Sequence, residues 1–326
     1  MNSATKNKQS PETLALMVDH AFPGCSIQIA TELSEGFFSI AYAITLDNGQ
    51  ETIVKIAPPP GSLVMTYEKN IMYTEVSTMR LAAEKTTLPV AKVLFYQEDS
   101  SMFGTEYFFM EKLPGKSVNS LKDTLAPDVQ LHIYETAGRY TAELNAITGQ
   151  RFGYYGQPQC QGKDWHEVFR SMLQDAFQDA RAESIETAVD AETVFTLLEE
   201  DRGLFGQVTT PCLVHWDIWS GNIFVENGEI TGIIDFERCL WADPLMEAGF
   251  RSWASEPQAF LRGYGIEALT PYQARRSRWY DLYFFLLVSM ETIYRQYDNL
   301  DMLHWSTPQL VDALKDLQEK RFEVSQ

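Results

Sequence analysis

Residues 213–237 read LVHWDIWSGNIFVENGEITGIIDFE, and the fold of the whole chain turns on them. Asn222 to Val225 and Ile230 to Ile234 are strand-like runs. Between them Asn227-Gly228 is the dipeptide that type I′ hairpin turns favour, because both central positions need positive φ. Counting outward from that turn sets Glu226 against Glu229, Val225 against Ile230 and Asn222 against Ile233. Asn222 and Asp235 then meet at the open end of the hairpin, although thirteen positions separate them in the chain. An amide oxygen beside a carboxylate is a hard-oxygen half-site of the kind magnesium takes, since that ion keeps several positions for water and phosphate oxygens. Asp217 lies in the loop entering the hairpin, where a carboxylate can orient a substrate hydroxyl or accept its proton. His215 reads as a brace for that loop. One Asp or Asn at a hairpin end is an ordinary solvated residue; the whole set at these spacings points to phosphate and metal chemistry.

The run His215-x-Asp217-x4-Asn222, followed by Asp235-Phe236-Glu237, resembles the catalytic loop and metal-binding motif of the aminoglycoside phosphotransferase family. These are small-molecule relatives of the protein kinases, whose own runs are H-R-D-x4-N and D-F-G. Trp216 stands where protein kinases carry the Arg that reads a phosphorylated activation loop, Glu237 stands where they carry Gly, and no A-P-E run follows. The resemblance spans about Thr31 to Tyr264. It implies an α+β, bilobal protein-kinase-like fold without a phosphorylation switch. A nucleotide-binding lobe of antiparallel sheet plus helix would occupy residues 1–111. A mostly helical lobe over 112–326 would hold the catalytic hairpin, the metal site and the acceptor-binding helices. The implied phosphoryl donor is ATP, with GTP left open, and the implied metal is Mg2+.

Length and composition agree with that outline. At 326 residues the chain can build two lobes with their own cores, and a hydrophobic fraction of 45% is ordinary for a globular protein. The first residues lack the apolar core of a secretory signal, and the longest apolar run, Leu282 to Val288, is too short to span a bilayer. The scattered Cys25, Cys160, Cys212 and Cys239 show no metal-site spacing and read as buried free thiols of a cytoplasmic protein, monomeric or homodimeric. A net charge of −19 opposes nucleic acid as a partner and would suit a cationic small-molecule acceptor.

In the first lobe a helix is expected over Glu12 to Ala21. Strands at Ile40 to Leu46 and Thr52 to Ile56 would be joined by the hairpin turn Asp47-Asn48-Gly49. Before them, Ser34, Gly36 and Ser39 fall where the kinase fold places its phosphate-covering loop; with a single glycine the segment is equally an ordinary turn. Lys55 shares a strand face with Ile53, so it needs either an edge or an anionic partner. Met72, Val76, Met79 and Ala83 mark a helix over Thr66 to Lys85, and Glu75 borders its buried stripe. A carboxylate there is costly unless paired, and Lys55 is the available cation. By the resemblance, Lys55 holds the α- and β-phosphates and Glu75 holds Lys55. Strands at Ala91 to Tyr96 and Thr105 to Met110 lead into Glu111-Lys112-Leu113-Pro114-Gly115. The family uses such a segment as the linker between lobes. Met110 would then line the adenine pocket, and the Glu111 carbonyl and Leu113 N–H would contact the base.

In the second lobe, helices are expected over Asp128 to Ile147, stopped by Gly149, and over Asp164 to Ala182, Ala191 to Glu200 and Trp279 to Tyr297. The segment Ala242-Asp243-Pro244 resembles the family's G-D-P run, placing Asp243, with Glu237, near the acceptor. Trp216, Trp219, Trp241 and Trp253 read as core residues or as an aromatic cage for a quaternary ammonium. Together these residues describe an ATP-dependent phosphotransferase acting on a hydroxyl of a small molecule. Asn222 and Asp235 would bind the metal and Asp217 would orient the attacking hydroxyl. Two alternatives remain: a catalytically silent nucleotide-binding scaffold of the same fold, and a kinase for a metabolic alcohol of choline, homoserine or sugar type rather than an antibiotic.

Overall fold

The computed structural model describes residues 3–33, 36 and 38–319. The chain opens with α1 (Pro11–Ala21), whose first turn is capped by Ser10 Oγ accepting from the Thr13 N–H. Strands β1 (Ile27–Leu33), β2 (Ile40–Leu46) and β3 (Glu51–Ile56) follow, then α2 (Ile71–Lys85), β4 (Val93–Gln97) and β5 (Tyr107–Glu111). The five strands form one antiparallel sheet in the order β1-β2-β3-β5-β4. One face packs Ile40, Tyr42, Val54, Ile56 and Phe109 against Leu14, Met17 and Val18 of α1. The other packs Ile53, Phe108 and Met110 against Met72, Val76 and Met79 of α2. Alternation along β3 therefore turns Lys55 toward α2. Strand β1 is an addition to the sequence reading: as an edge strand exposed beyond its first residue, it shows no alternating burial.

The helix expected from residue 66 is broken. Thr66–Glu68 make one 3-10 turn, Asn70 takes a left-handed φ of 59°, and α2 begins only at Ile71. The broken segment is a strap onto the helical part. The Thr66 N–H and Oγ1 donate to Asp179 Oδ2 and Oδ1 at 2.7 and 2.9 Å. Gln157 Nε2 donates to the Thr66 carbonyl at 2.9 Å, and Asn70 Nδ2 to the Gly156 carbonyl at 3.0 Å. Met65 and Tyr67 are buried in the core of the helical part.

That part comprises β6 (Lys116–Ser117), α3 (Val118–Leu121), α4 (Pro127–Asn145), β7 (Gly153–Tyr154), α5 (Trp165–Ala182), α6 (Ala191–Glu200) and α7 (Arg202–Phe205). It continues with β8 (Cys212–Val214), β9 (Ile223–Glu226), β10 (Glu229–Ile233), β11 (Leu240–Ala242), α8 (Pro257–Tyr264), α9 (Pro271–Tyr294) and α10 (Asp301–Glu319). Helix α4 ends at Asn145, short of Gly149. That glycine is needed for another reason: a Cβ there would lie 2.6 Å from the Trp241 ring. Helix α9 is buried all round, with Trp279, Tyr280, Leu282, Tyr283, Phe285, Leu286 and Met290 fully enclosed. Three of the four tryptophans Trp216, Trp219, Trp241 and Trp253 have separate ring partners: Trp216 stacks on Tyr283 at 5.6 Å, Trp253 on Phe284 at 5.3 Å, and Trp241 leans on Tyr155 at 5.7 Å; of the four only Trp216 is buried. Of the cysteines only Cys239 is buried; Cys160 is exposed, and all four are free thiols. Among the described residues no helix is long and apolar enough to cross a membrane.

Candidate active site

The hairpin β9–β10 pairs Glu226 with Glu229 and Val225 with Ile230, and its turn places Asn227 and Gly228 at φ 53° and 85°. Beyond Ile230 the register departs from a straight count. Thr231 bulges, Gly232 meets Phe224, and Ile233 meets Ile223. Asn222 therefore lies across from Ile234, whose N–H donates to the Asn222 carbonyl at 3.0 Å, and not from Ile233. The Leu113 side chain packs over Gly232 where a Cβ would otherwise stand, and Thr231 Oγ1 donates to the Pro114 carbonyl at 2.7 Å. The bulge thus fits the hairpin to the linker between the two parts. Gly115, at φ 86°, lies against the Val225 carbonyl with no room for a Cβ, so the Pro-Gly pair seats the linker on β9. At the other edge, the Ile233 N–H donates to the Pro89 carbonyl at 3.0 Å.

This frame carries Asp235, itself at a left-handed φ of 72°, to the end of β3 and α2. Lys55 Nζ donates to Glu75 Oε1 and Oε2 at 2.8 and 2.7 Å and to Asp235 Oδ1 at 2.7 Å, with Glu237 Oε2 at 3.6 Å. Burial opposes the Lys55 charge, but Asp235, Glu75 and Glu237 outweigh it and hold the ammonium well above its ordinary range. Burial also pushes the Asp235 carboxyl up, yet Lys55 and Arg238 bring it below the usual value. The other two carboxylates lack enough positive charge. Burial raises Glu75 to about 7, against the pull of Lys55, and burial with the repulsion of Asp235 raises Glu237 to about 8. Glu75, Asp235 and Glu237 offer oxygens within 4.8 Å of one another. Three carboxylates around one ammonium make a donor set and a charge deficit that suit a divalent cation. Glu237, expected beside the acceptor, thus stands with the Lys55 cluster instead.

Asp217 sits across Asn222 from this cluster. Asn222 Nδ2 donates to the Asp217 carbonyl at 2.9 Å and to Asp217 Oδ2 at 3.2 Å, which turns the amide oxygen the other way. Burial pushes the Asp217 carboxyl up to about 6, with Arg238 opposing. The loop beneath is braced as expected. Fully buried His215 donates from Nε2 to the Ile234 carbonyl at 3.1 Å and accepts the Asp217 N–H on Nδ1 at 3.2 Å. Burial lowers its pKa to about 4, so the ring is neutral. It also packs edge-on against Phe236, with centroids 4.4 Å apart.

The sequence reading missed Glu247. Fully buried, it accepts the His215 N–H at 2.9 Å, the Trp216 N–H at 3.0 Å and Asn145 Nδ2 at 3.0 Å. It holds Trp216 at a left-handed φ of 70°, a conformation a bulky residue adopts only when its surroundings impose it. The one signal for it was a charge set inside the apolar run Leu245-Met246-Glu247-Ala248.

Other expected residues fall into place or elsewhere. Met110 is buried on β5 between Ile53 and Val93, and Glu111 ends that strand, exposed, its N–H donated to the Lys92 carbonyl. Ser39 is buried and Gly36 exposed; Ser34 lies outside the described residues. Asp243 is not brought to the cluster: 3% exposed, it accepts from Arg276 Nε and the Tyr280 hydroxyl at 2.8 Å and from the Leu245 N–H, and so ties β11 to α9.

Comparison with known proteins agrees with this fold. A chain from Haemophilus somnus 129PT described as a fructosamine-3-kinase superposes with a TM-score of 0.68 at 17% identity, over 93% of this chain and 97% of that one. The apo form of a thermostable mutant of aminoglycoside phosphotransferase APH(4)-Ia gives 0.68 at 20% identity, over 94% and 99%. The same enzyme's ternary complex with ADP and hygromycin B gives 0.66 at 19%, over 93% and 98%. Among curated sequences, mouse (Mus musculus) acyl-CoA dehydrogenase family member 11 is 23% identical over 211 residues, 62% of this chain. The match spans a quarter of that protein's length. The family model described as the phosphotransferase enzyme family matches residues 29–280. With a family model matched over residues 29–280 and neighbours that share the fold, the chain belongs to the phosphotransferase enzyme family.

Proposed function

We propose that this phosphotransferase moves the γ-phosphoryl group of ATP to a hydroxyl of a small molecule, with residues 1–111 holding the nucleotide and 112–326 the acceptor. The observation that carries the reading is the convergence of Lys55, Glu75, Asp235 and Glu237, with Asp217 placed across Asn222 from them. Lys55, fixed by Glu75, positions the α- and β-phosphates. The main chain at Glu111 and Leu113 meets the adenine edge, Met110 backs it, and Gly36 and Ser39 lie at the phosphates. Asp235, Asn222 and Glu237 are the residues that would hold Mg2+. When bound, that ion would supply positive charge to offset the negative charge of the transferred group.

Asp217 accepts the hydroxyl proton as the acceptor oxygen bonds to the γ-phosphorus and the bond to the β-phosphate oxygen breaks, releasing ADP. Burial has already raised Asp217 toward neutral pH, which favours that proton transfer. Since the transition state is loose, most of the acceleration comes from positioning and charge. The neighbours carry different molecules in their names, hygromycin B in one and fructosamine in another. The reading therefore specifies a small-molecule hydroxyl and no single acceptor.

The test is magnesium-dependent ADP release against a panel of aminoglycosides, macrolides, choline, homoserine and sugar alcohols. One acceptor should stimulate turnover. Asp217→Asn should lower kcat about 10²- to 10⁴-fold and leave nucleotide affinity within about twofold. Equal turnover in the variant would overturn the role given to Asp217.

A further inference from the structure

A second cluster of ligand-type side chains lies away from the nucleotide cleft, where α5 begins. Asp164, His166 and Glu167 offer ligand atoms within 4.8 Å of one another. The two carboxylates are exposed, but His166 is 99% buried, with 1% of its surface accessible. Its ring is oriented from behind: Nε2 lies 3.3 Å from the Leu198 carbonyl, the acceptor that fixes the proton on that nitrogen. Nδ1 is then a bare lone pair. It is buried, has no hydrogen-bond partner, and points at Glu167 Oε1 3.6 Å away. Glu167 Oε1 accepts from Arg202, but nothing donates between it and Nδ1, and two electron-rich atoms facing each other repel unless a proton or a cation lies between them.

Asp164 Oδ1 caps the helix on the Glu167 N–H at 3.0 Å, leaving its second oxygen for another partner. Arg202 binds Glu167 Oε1 at 2.7 Å and Glu199 Oε1 at 2.6 Å, so one guanidinium serves two carboxylates. A ring nitrogen oriented through its other N–H to a carbonyl, beside carboxylates held by an arginine, is the arrangement that surrounds protein-bound transition metals.

We propose that Asp164, His166 Nδ1 and Glu167 form a binding site for a divalent transition-metal cation of the zinc type. Imidazole nitrogen with carboxylate oxygens selects such ions over magnesium, which prefers oxygen alone. Solvent completes the coordination on the exposed side. The bound ion locks the first turn of α5 against the end of α6 through the Leu198 carbonyl and Arg202. It is separate from the Lys55 cluster and takes no part in phosphoryl transfer.

The test is calorimetric titration of the full-length protein with Zn2+ alone, for wild type, Asp235→Asn, His166→Gln and Asp164→Asn. In parallel, NMR follows the His166 ring nitrogens. The expected result is a site that survives Asp235→Asn and weakens at least about tenfold in His166→Gln. Asn still caps a helix, so Asp164→Asn should weaken binding while preserving the fold even if the histidine variant misfolds. In wild type, Zn2+ should shift the Nδ1 signal and leave Nε2 protonated. Zn2+ binding that is lost in Asp235→Asn and indifferent to His166 and Asp164 overturns the proposal. So does the absence of Zn2+ binding to the wild-type protein.

Discussion

Replacing Glu237 by Gln should make the protein more stable while impairing the site. Three carboxylates crowd one ammonium, and the Glu237 carboxyl is raised from 4.5 to about 8. A group whose folded pKa is raised contributes stability that is full below the unfolded value and is lost as pH rises through the folded one. Glu237 therefore favours folding below about pH 4.5 and is progressively forced to ionise in an unwelcoming place between there and pH 8. Taking these two values, the ionisable side chain penalises folding by about 4 kcal/mol at pH 8 and about 1 kcal/mol at pH 5, relative to a neutral isostere. Glu75, raised to about 7, shares the same lysine. The assay is chemical unfolding with EDTA at pH 5 and pH 8, followed by a repeat at pH 8 with saturating Mg2+. Glu237→Gln should be the more stable protein at pH 8, with the gap closing toward pH 5. Magnesium should stabilise wild type more than the variant. A variant no more stable than wild type at pH 8, or a gap that does not narrow in acid, would refute the charge deficit and with it the fit of the cluster to a cation.

Glu247→Ala leaves two backbone N–H groups and the Asn145 amide without their acceptor, at about 1–3 kcal/mol each, partly offset because burial raises that carboxyl to about 7. Urea unfolding should show a net loss of about 2–5 kcal/mol, and kcat should fall more than nucleotide affinity. Gly115→Ala forces a side chain into left-handed φ and against the Val225 carbonyl, so calorimetry should show a loss of about 2–4 kcal/mol and kinetics a raised KM for the nucleotide. His215, depressed from 6.5 to about 4, contributes stability that is present above pH 6.5 and lost as pH falls toward 4. His215→Gln should flatten that acid limb of the stability curve, read by unfolding at pH 4.5, 5.5 and 7.

The parts of the site that were legible in the sequence are those set by local rules. Asn227-Gly228 specifies its turn through φ alone, and the burial of Lys55 and Glu75 follows from strand and helix periodicity. The bulge at Thr231 was not legible, because the groups packed against it, Leu113 over Gly232 and the Pro114 carbonyl on Thr231, come from more than a hundred positions away. Glu247 belongs to no pattern; its partners are backbone groups of a loop it meets only after folding. The break before α2 has the same origin. Thr66 and Asn70 look like helix-flanking residues until Asp179 and Gly156 supply their hydrogen bonds. Helix α10 was unread because Pro308 interrupts its interior.

The segment before α2 is fastened through Thr66 and Asn70 to Asp179, Gln157 and Gly156, so the helix is anchored to the helical part as well as to the sheet it packs on. In protein kinases the corresponding helix swings to make or withdraw its glutamate, and activity is set by that swing. Here the same motion would pull Met65 and Tyr67 out of a packed core. On the proposed function, clearance for an entering nucleotide would then fall to the strands, and the output would follow the supply of donor and acceptor, with no step that first brings Glu75 to Lys55.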